Sequence, residues 1–376
     1  MPSSHPAARQ IAPRVQEHFA RHIQAAYGDA YRMPTTADIE AVIDAAFWAS
    51  LRREEGSTRR ISLTLLPPGA AAHPLVFARA VPLEPSTLVK VAPAVERPGI
   101  HLGVWRAHDG DDLCVWGTTR DVPPFGLVLE AAAPGLLVVK HQRTQGGKFV
   151  NVAVLEGDRV KVIDESASSL PDCPSLLTAL LGFDVRETRA GQQTSLLVAL
   201  AVSMRAHGHG GSLLVVPSDD ESWSESVVHP ISYAVAPAFH EIGELMDRPG
   251  PERLERDWQD ALADAVGAVA GLTAVDGATV LDTRHRLLAF GSKIIRRKGQ
   301  PTVERVTVTE PIEDSSALVV HPTQLGGTRH LSAAQFVQDQ QRALALVASQ
   351  DGRFTVFAWS PCEDMVHAHR VETLLM

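Results

Sequence analysis

The chain has 376 residues, 45% hydrophobic and 21% charged, which is enough apolar mass for two domains with cores of their own. A net charge of −9 argues against the basic face that nucleic-acid tracking requires, while leaving room for a local basic pocket. The three cysteines, Cys114, Cys173 and Cys362, lie far apart, no run of ~18 apolar residues occurs, and the N-terminus lacks a signal peptide's apolar core. A cytoplasmic protein with no membrane and no nucleic-acid partner is therefore expected.

Ile11, Val15, Phe19 and Ile23 recur every four residues and predict a helix with one buried stripe. Thr35 and Asp38 mark the start of a second helix whose apolar face is Ile39, Val42, Ile43, Ala46 and Phe47, with Glu54-Glu55-Gly56 ending it. From Arg60 onward, short apolar or alternating runs separated by Gly, Pro and Asp predict seven or eight strands, with a helix near residues 86–95. Gly146-Gly147 and Glu156-Gly157-Asp158 read as hairpin turns. In this half Lys90, Lys140, Lys148, Trp105 and Trp116 are candidates for lining a ligand pocket, or else core tryptophans with lysine stems over them; no site is assigned to them.

The polar segment 165–174 reads as a boundary, giving domains 1–168 and 169–376. Beyond it, helices are predicted over 176–181, 192–206 and 236–274, the last broken at Pro249-Gly250-Pro251. Gly-Gly-Ser-Leu-Leu-Val-Val at 210–216 reads as a buried strand, and 224–235 as a candidate second strand. Residues 277–294 and 343–359 read as hairpins, the second with an Asp351-Gly352 turn. A loop-rich stretch is expected up to about 320 and a helix over 332–342. The fold class is thus α/β: a C-terminal α/β sandwich with a central mixed sheet flanked by helices, preceded by a β-rich α+β domain.

Two short motifs carry chemistry. Asp276-Gly277-Ala278 puts an acid at the end of an apolar run, and reads either as a turn aspartate or as a carboxylate for a divalent cation. Gly327-Thr328-Arg329-His330 is a polar loop opening onto a helix. Arg329 can grip phosphate oxygens in a bidentate fork, Thr328 and Ser332 offer hydroxyls, and the helix start offers free N–H groups. Its other reading is a capped helix with surface charges. A second Thr-Arg-His-Arg, residues 283–286, sits between predicted strands and reads as a hairpin turn. His207 with His209, and His367 with His369, have i, i+2 spacing and read as solvated turns. P-loop, nucleophile-elbow and dinucleotide Gly-rich patterns are absent.

Four segments in order, at 210–217, 276–294, 326–336 and 343–357, resemble the diadenylate cyclase family, whose signatures are DGA and GTRHR. The N-terminal half is similar to sensor domains that precede some bacterial members. The resemblance implies joining two ATP molecules into cyclic di-AMP with release of pyrophosphate, under control of the N-terminal domain. It implies that Asp276 holds Mg²⁺ or Mn²⁺ and helps activate the ribose 3′-hydroxyl. Gly277 and Ala278 would line the adenosine. Gly327, Thr328, Arg329 and His330 would hold phosphates and ribose, with Asp276, Arg329 and His330 catalytic, and Ser332, Ser349 and Gln350 would add polar contacts. It also implies a face-to-face homodimer or higher oligomer, because each protomer holds one ATP of a two-fold symmetric product. Two departures stand out: Leu331 replaces the motif's last arginine, and Gln350 stands where many members have glutamate. Loss of a phosphate clamp of this kind is worth ~3 kcal/mol, about a hundredfold in rate. The alternatives are a weak or inactive sensor of nucleotides or cyclic dinucleotides, and a scaffold that only assembles.

Overall fold

The computed structural model describes residues 4–27, 33–53, 60–107, 112–143, 149–165, 189–228, 233–250 and 252–376. The Gly146-Gly147 turn, the end of the second helix at Glu54-Glu55-Gly56, the helix over 176–181 and nearly all of the 165–174 segment lie outside these residues. Contacts divide the chain into two units, Met1–Asp164 with Met376, and Glu165–Leu375.

The first unit contains helices α1 (Pro6–Tyr27), α2 (Thr36–Ser50) and α3 (Pro85–Val91). Its strands are β1 (Ile61–Leu65), β2 (Leu75–Pro82), β3 (His101–Arg106), β4 (Leu113–Thr119), β5 (Val128–Ala133), β6 (Leu136–Gln142), β7 (Phe149–Glu156) and β8 (Arg159–Val162). They form one sheet in the order β2-β4-β3-β1-β5-β6-β7-β8. β1 and β3 pair in parallel and the remaining neighbours are antiparallel.

The four-residue stripe buries Ile11, Val15 and Phe19, and with Ile39, Ile43 and Phe47 of α2 it joins Leu63, Leu129 and Val139 of the sheet in one core. Thr35 caps α2 reciprocally: its side chain accepts from the Asp38 N–H, and the Asp38 carboxylate accepts from the Thr35 N–H at 2.9 Å. Such a box is worth roughly 1 kcal/mol. Gly157, at φ +58°, closes the β7–β8 turn where Asp158 follows it.

The second unit contains α4 (Arg189–Ala206), β9 (Gly211–Val216), β10 (Val227–Val228), β11 (Tyr233–Phe239), α5 (Glu241–Asp247), α6 (Arg256–Leu272), β12 (Ala278–Asp282) and β13 (Leu287–Ile294). It continues with β14 (Val306–Thr309), β15 (Leu318–Val320), α7 (Thr328–Asp339), β16 (Leu344–Ala348), β17 (Phe354–Ser360) and β18 (Met365–Arg370). The sheet runs β10-β13-β12-β9-β16-β17-β18-β14-β15, with β11 also on β13. It is mixed: β9–β12 and β14–β18 are parallel and the other pairs antiparallel. Every residue of β9 and β12 is buried, as expected of strands covered on both faces. On one face, Phe336 and Val337 of α7 pack with Leu214, Val280 and Phe357. Among the described residues no helix is long and apolar enough to cross a membrane.

Several expectations need correction. Residues 236–239, expected to be helical, instead continue the strand expected up to 235 as the edge strand Tyr233–Phe239; Pro237 is accommodated there because the pairing with β13 slips between Ala234 and Phe239. The helix of this region starts only at Glu241. The stretch up to 320 holds two strands, and the β-branched run Val306-Thr307-Val308-Thr309 lies parallel to β18. His367 and His369 do not sit on a turn; they lie on β18, 8% and 3% exposed, with His369 hydrogen-bonded to Thr309 Oγ1 at 2.8 Å. Helix α7 spans Thr328–Asp339 rather than 332–342, so Thr328, Arg329 and His330 form its first turn instead of a loop before it.

Candidate functional site

The parallel register pairs Ala278 of β12 with Ser212 of β9, and the antiparallel register pairs Gly211 of β9 with Ala348 of β16. Three chain segments therefore emerge at one end of the sheet on adjacent strands: Asp276-Gly277 entering β12, His209-Gly210 entering β9, and Ser349-Gln350 leaving β16. Strand spacing of ~4.8 Å keeps them close neighbours. Gly210 has φ +70°, and a Cβ there would stand 2.8 Å from Arg329 Nη1 and 3.1 Å from the Ala348 carbonyl oxygen. The guanidinium at the start of α7 thus reaches the same end. Gln350 Nε2 donates to the His209 carbonyl at 3.3 Å and ties two of the three segments together.

Each candidate side chain has a distinct setting. Asp276 is exposed, and its carboxylate has no hydrogen-bond or ion-pair partner among the described residues. Arg329 is half-buried and likewise makes no hydrogen bond or ion pair there. Gly277, at φ +106°, approaches β13 so closely that a Cβ would lie 2.5 Å from the Gly291 carbonyl carbon. Close backbone packing is enough to demand glycine here. Ala278 is 1% exposed and held in the ladder between Ser212 and Ser292, which leaves Asp276 as the accessible member of the triplet.

Gly327 caps α7 with no side-chain hydrogen bond. The N–H groups of Thr328 and Arg329 have no intrahelical acceptor, as at any helix start, and the exposed Thr328 stands among them. Ser332 and Ser349 are half-buried, and the Ser349 N–H accepts its place in the hairpin by donating to the Arg353 carbonyl at 2.9 Å.

His330 is turned inward. It is 3% exposed, a Cβ on Gly326 would stand 2.5 Å from its Nδ1, and its Nε2 lies 3.5 Å from Thr355 Oγ1. Burial holds the imidazole below its ordinary pKa, with Arg370, Arg353 and Arg329 adding to this against the pull of Asp351. The ring is therefore neutral near pH 7 and locks the first turn of α7 onto the sheet. Leu331, at the position of the family's last arginine, packs against the apolar core.

The second Thr-Arg-His-Arg is the β12–β13 turn. The buried Asp282 accepts from the N–H groups of Arg284 and Arg286, each at 2.9 Å, and pairs with the Arg286 guanidinium. His207, half-buried, lies 3.2 Å from Thr273 Oγ1 through Nε2, and His209 is exposed.

No cluster of three or more His, Cys, Asp or Glu side chains forms around Asp276 among the described residues. A lone accessible carboxylate still fits Mg²⁺ or Mn²⁺, which take one or two carboxylates and complete their shell with substrate phosphates and water. A polar cavity of about 360 Å³ in this unit is lined by Val216, Trp223, Arg297, Asp339 and Arg342. It opens at the other end of the β9–β16 pair and includes neither Asp276 nor Arg329. The position of these two unpaired charges, rather than cavity size, marks the candidate site.

In the first unit, Trp105 and Trp116 line a cavity of about 370 Å³. Lys140 does not: it pairs with Glu130 at 2.5 Å, beside Arg60 at 2.6 Å from the same carboxylate, and its ammonium lies over the Phe149 ring. Lys90 is exposed, and Lys148 is outside the described residues.

Residues 28–120 match the family described as probable sensor domain DACNV. The match runs through α2 to β4 and includes both cavity tryptophans. A sensor domain is thereby indicated in the first unit. Among curated proteins, none matches the chain.

Proposed function

We propose that the chain is a diadenylate cyclase: its second unit condenses two ATP molecules into cyclic di-AMP and two pyrophosphates, regulated by the sensor-like first unit. The observation that carries this reading is the placement of Asp276 and Arg329, neither with a partner among the described residues, at the same end of β12, β9 and β16, beside the open start of α7. A nucleoside triphosphate suits that arrangement. The carboxylate side takes the cation, and the guanidinium and helix amides take phosphate oxygens.

In this reading Arg329 and the N–H groups of Thr328 and Arg329 hold phosphate oxygens, with the Thr328 hydroxyl beside them. His330 acts through Arg329 by fixing the helix turn that carries it. Asp276 orients the ribose 3′-hydroxyl and would hold Mg²⁺ or Mn²⁺, which would supply neutralisation of phosphate charge. The 3′-oxygen attacks the α-phosphorus of the opposing ATP, the bond to pyrophosphate breaks, and the hydroxyl proton leaves to solvent. A second, identical event closes the ring. The work of the protein is positioning and charge neutralisation. The candidate site lies at an open sheet end, and a two-fold partner bringing a second ATP face to face would complete it.

A second reading, nucleotide binding without turnover, is favoured by Leu331 packing into the core and by Gln350 being engaged with His209. Incubation with ATP and Mn²⁺, with products resolved by mass spectrometry, separates the two. Cyclic di-AMP supports the cyclase. ATP that binds saturably in calorimetry and returns unchanged supports the sensor.

A further inference from the structure

We propose that the first unit binds a small, uncharged, planar aromatic molecule in the cavity between the β2 bulge and the ends of β3 and β4. The proposal rests on the sensor-domain likeness of residues 28–120 and is independent of the cyclase reading.

Two strand irregularities build the cavity. On β2, Val76 pairs with Gly117 and Val81 with Val115, so five steps along one strand answer two along its neighbour, and Phe77 and Ala80 arch over the gap. On β4 the register slips again between the Gly103 and Val104 pairings, which leaves Trp116 unpaired in the ladder and re-aims it. The volume of this half-open cavity, about 370 Å³, lies within the ~300–1,000 Å³ of small-molecule sites.

The lining selects the ligand class. Aromatic residues are 5% of the chain, yet three of the ten lining residues are Phe77, Trp105 and Trp116. Pro67 and Pro68 add rigid apolar wall. Trp116 is preset: its indole N–H donates to the Leu66 carbonyl at 2.7 Å, and its ring lies where a Cβ on Gly103 would be, 2.0 Å away. A ring held this firmly offers a stacking face with little left to order on binding. The Trp105 indole N–H has no hydrogen-bond partner among the described residues and is available to one ring heteroatom. The single charged lining residue, Arg106, is ion-paired with Asp38, whose carboxylate also accepts from the Thr35 N–H and hydroxyl. The cavity is therefore close to neutral, which disfavours an ion and suits an uncharged ring system.

The test uses the full chain without ATP, so its outcome is separate from that of the cyclase reading. Binding of indole, and of 1-octanol as a flexible aliphatic probe, is followed by saturation-transfer NMR and calorimetry. Ala80→Trp fills the cavity from an exposed strand position without touching the core, and Trp105→Leu removes a stacking face. Saturable indole binding is expected, at least about tenfold weaker in both variants, at unchanged melting temperature in Ala80→Trp and with some loss of stability in Trp105→Leu, whose ring also packs against the core, and with octanol not bound. Absence of saturable indole binding to the native chain overturns the proposal. So does an indole affinity unaffected by Ala80→Trp, or octanol binding as tightly as indole.

Discussion

Gly210 and Arg329 meet so closely that a Cβ on the glycine would stand 2.8 Å from the arginine Nη1. The two residues are far apart in sequence, yet the β9–β16 register and the first turn of α7 bring the guanidinium to the mouth of β9. A left-handed glycine thus makes the space that an unpaired cation occupies.

Gly210→Ala should act through Arg329. The residue sits at φ +70°, which costs an alanine ~1 kcal/mol, and the added carbon displaces the flexible guanidinium at 2.8 Å while also pressing on the Ala348 carbonyl oxygen at 3.1 Å. The expected result is a small loss of stability in urea denaturation with a disproportionate loss of ATP affinity in calorimetry, about tenfold or more. Equal ATP binding by the variant would detach Arg329 from the site.

Gly277→Ala behaves differently, because the obstacle is the Gly291 backbone at 2.5 Å and cannot swing away. Strain at φ +106° and overpacking together should cost about 3–5 kcal/mol. Urea denaturation reads this directly. A cost below about 1 kcal/mol would show that the β12–β13 approach is looser than described.

Leu331→Arg restores the family motif in letters but not in place. Leu331 is packed against the core cluster of α7 and the sheet, so a guanidinium there must leave apolar contacts or be desolvated. The variant should lose about 1–3 kcal/mol in urea denaturation and gain no more than a few-fold in turnover of ATP. A hundredfold gain at unchanged stability would mean that the side chain can reach the phosphates.

Acid should loosen the second unit through His369. Burial, and next the neighbouring His367, lower its pKa to about 4 from the ordinary value near 6.5. Below about pH 6.5 the unfolded chain takes up a proton that the folded one refuses, so stability falls as pH drops from about 6.5 to about 4. Urea midpoints at pH 7, 5.5 and 4.5 should decline for the native chain, by up to roughly 3 kcal/mol from this residue, and decline less in His369→Gln.

Much of the fold is legible in the sequence because burial imposes periodicity. The four-residue stripe of α1, the Thr35–Asp38 box of α2 and the Asp351-Gly352 hairpin are local signals whose partners lie within a few residues. β14, β18 and the C-terminal part of β11 escape such reading because long-range pairing makes them strands; residues 236–239 with Pro237, and His367 with His369, carry polar or turn-like residues that only a neighbouring strand explains. At the site, Asp276 and Arg329 stand out as motif residues, and neither charged side chain has a partner among the described residues. The inward turn of His330 onto Gly326 and the role of Gly210 depend on tertiary packing, and no local pattern announces them. Trp105 and Trp116 read more readily as core than as pocket until the slipped register of β2 and β4 opens the space between them.

The most direct test of the central claim is the amount of cyclic di-AMP that the native chain, Asp276→Ala and Arg329→Ala each form from ATP with Mn²⁺, quantified by mass spectrometry on samples of matched melting temperature. Product from the native chain and a loss of about a hundredfold or more in each variant is the predicted result. No product from the native chain, or undiminished product in either variant, would contradict it.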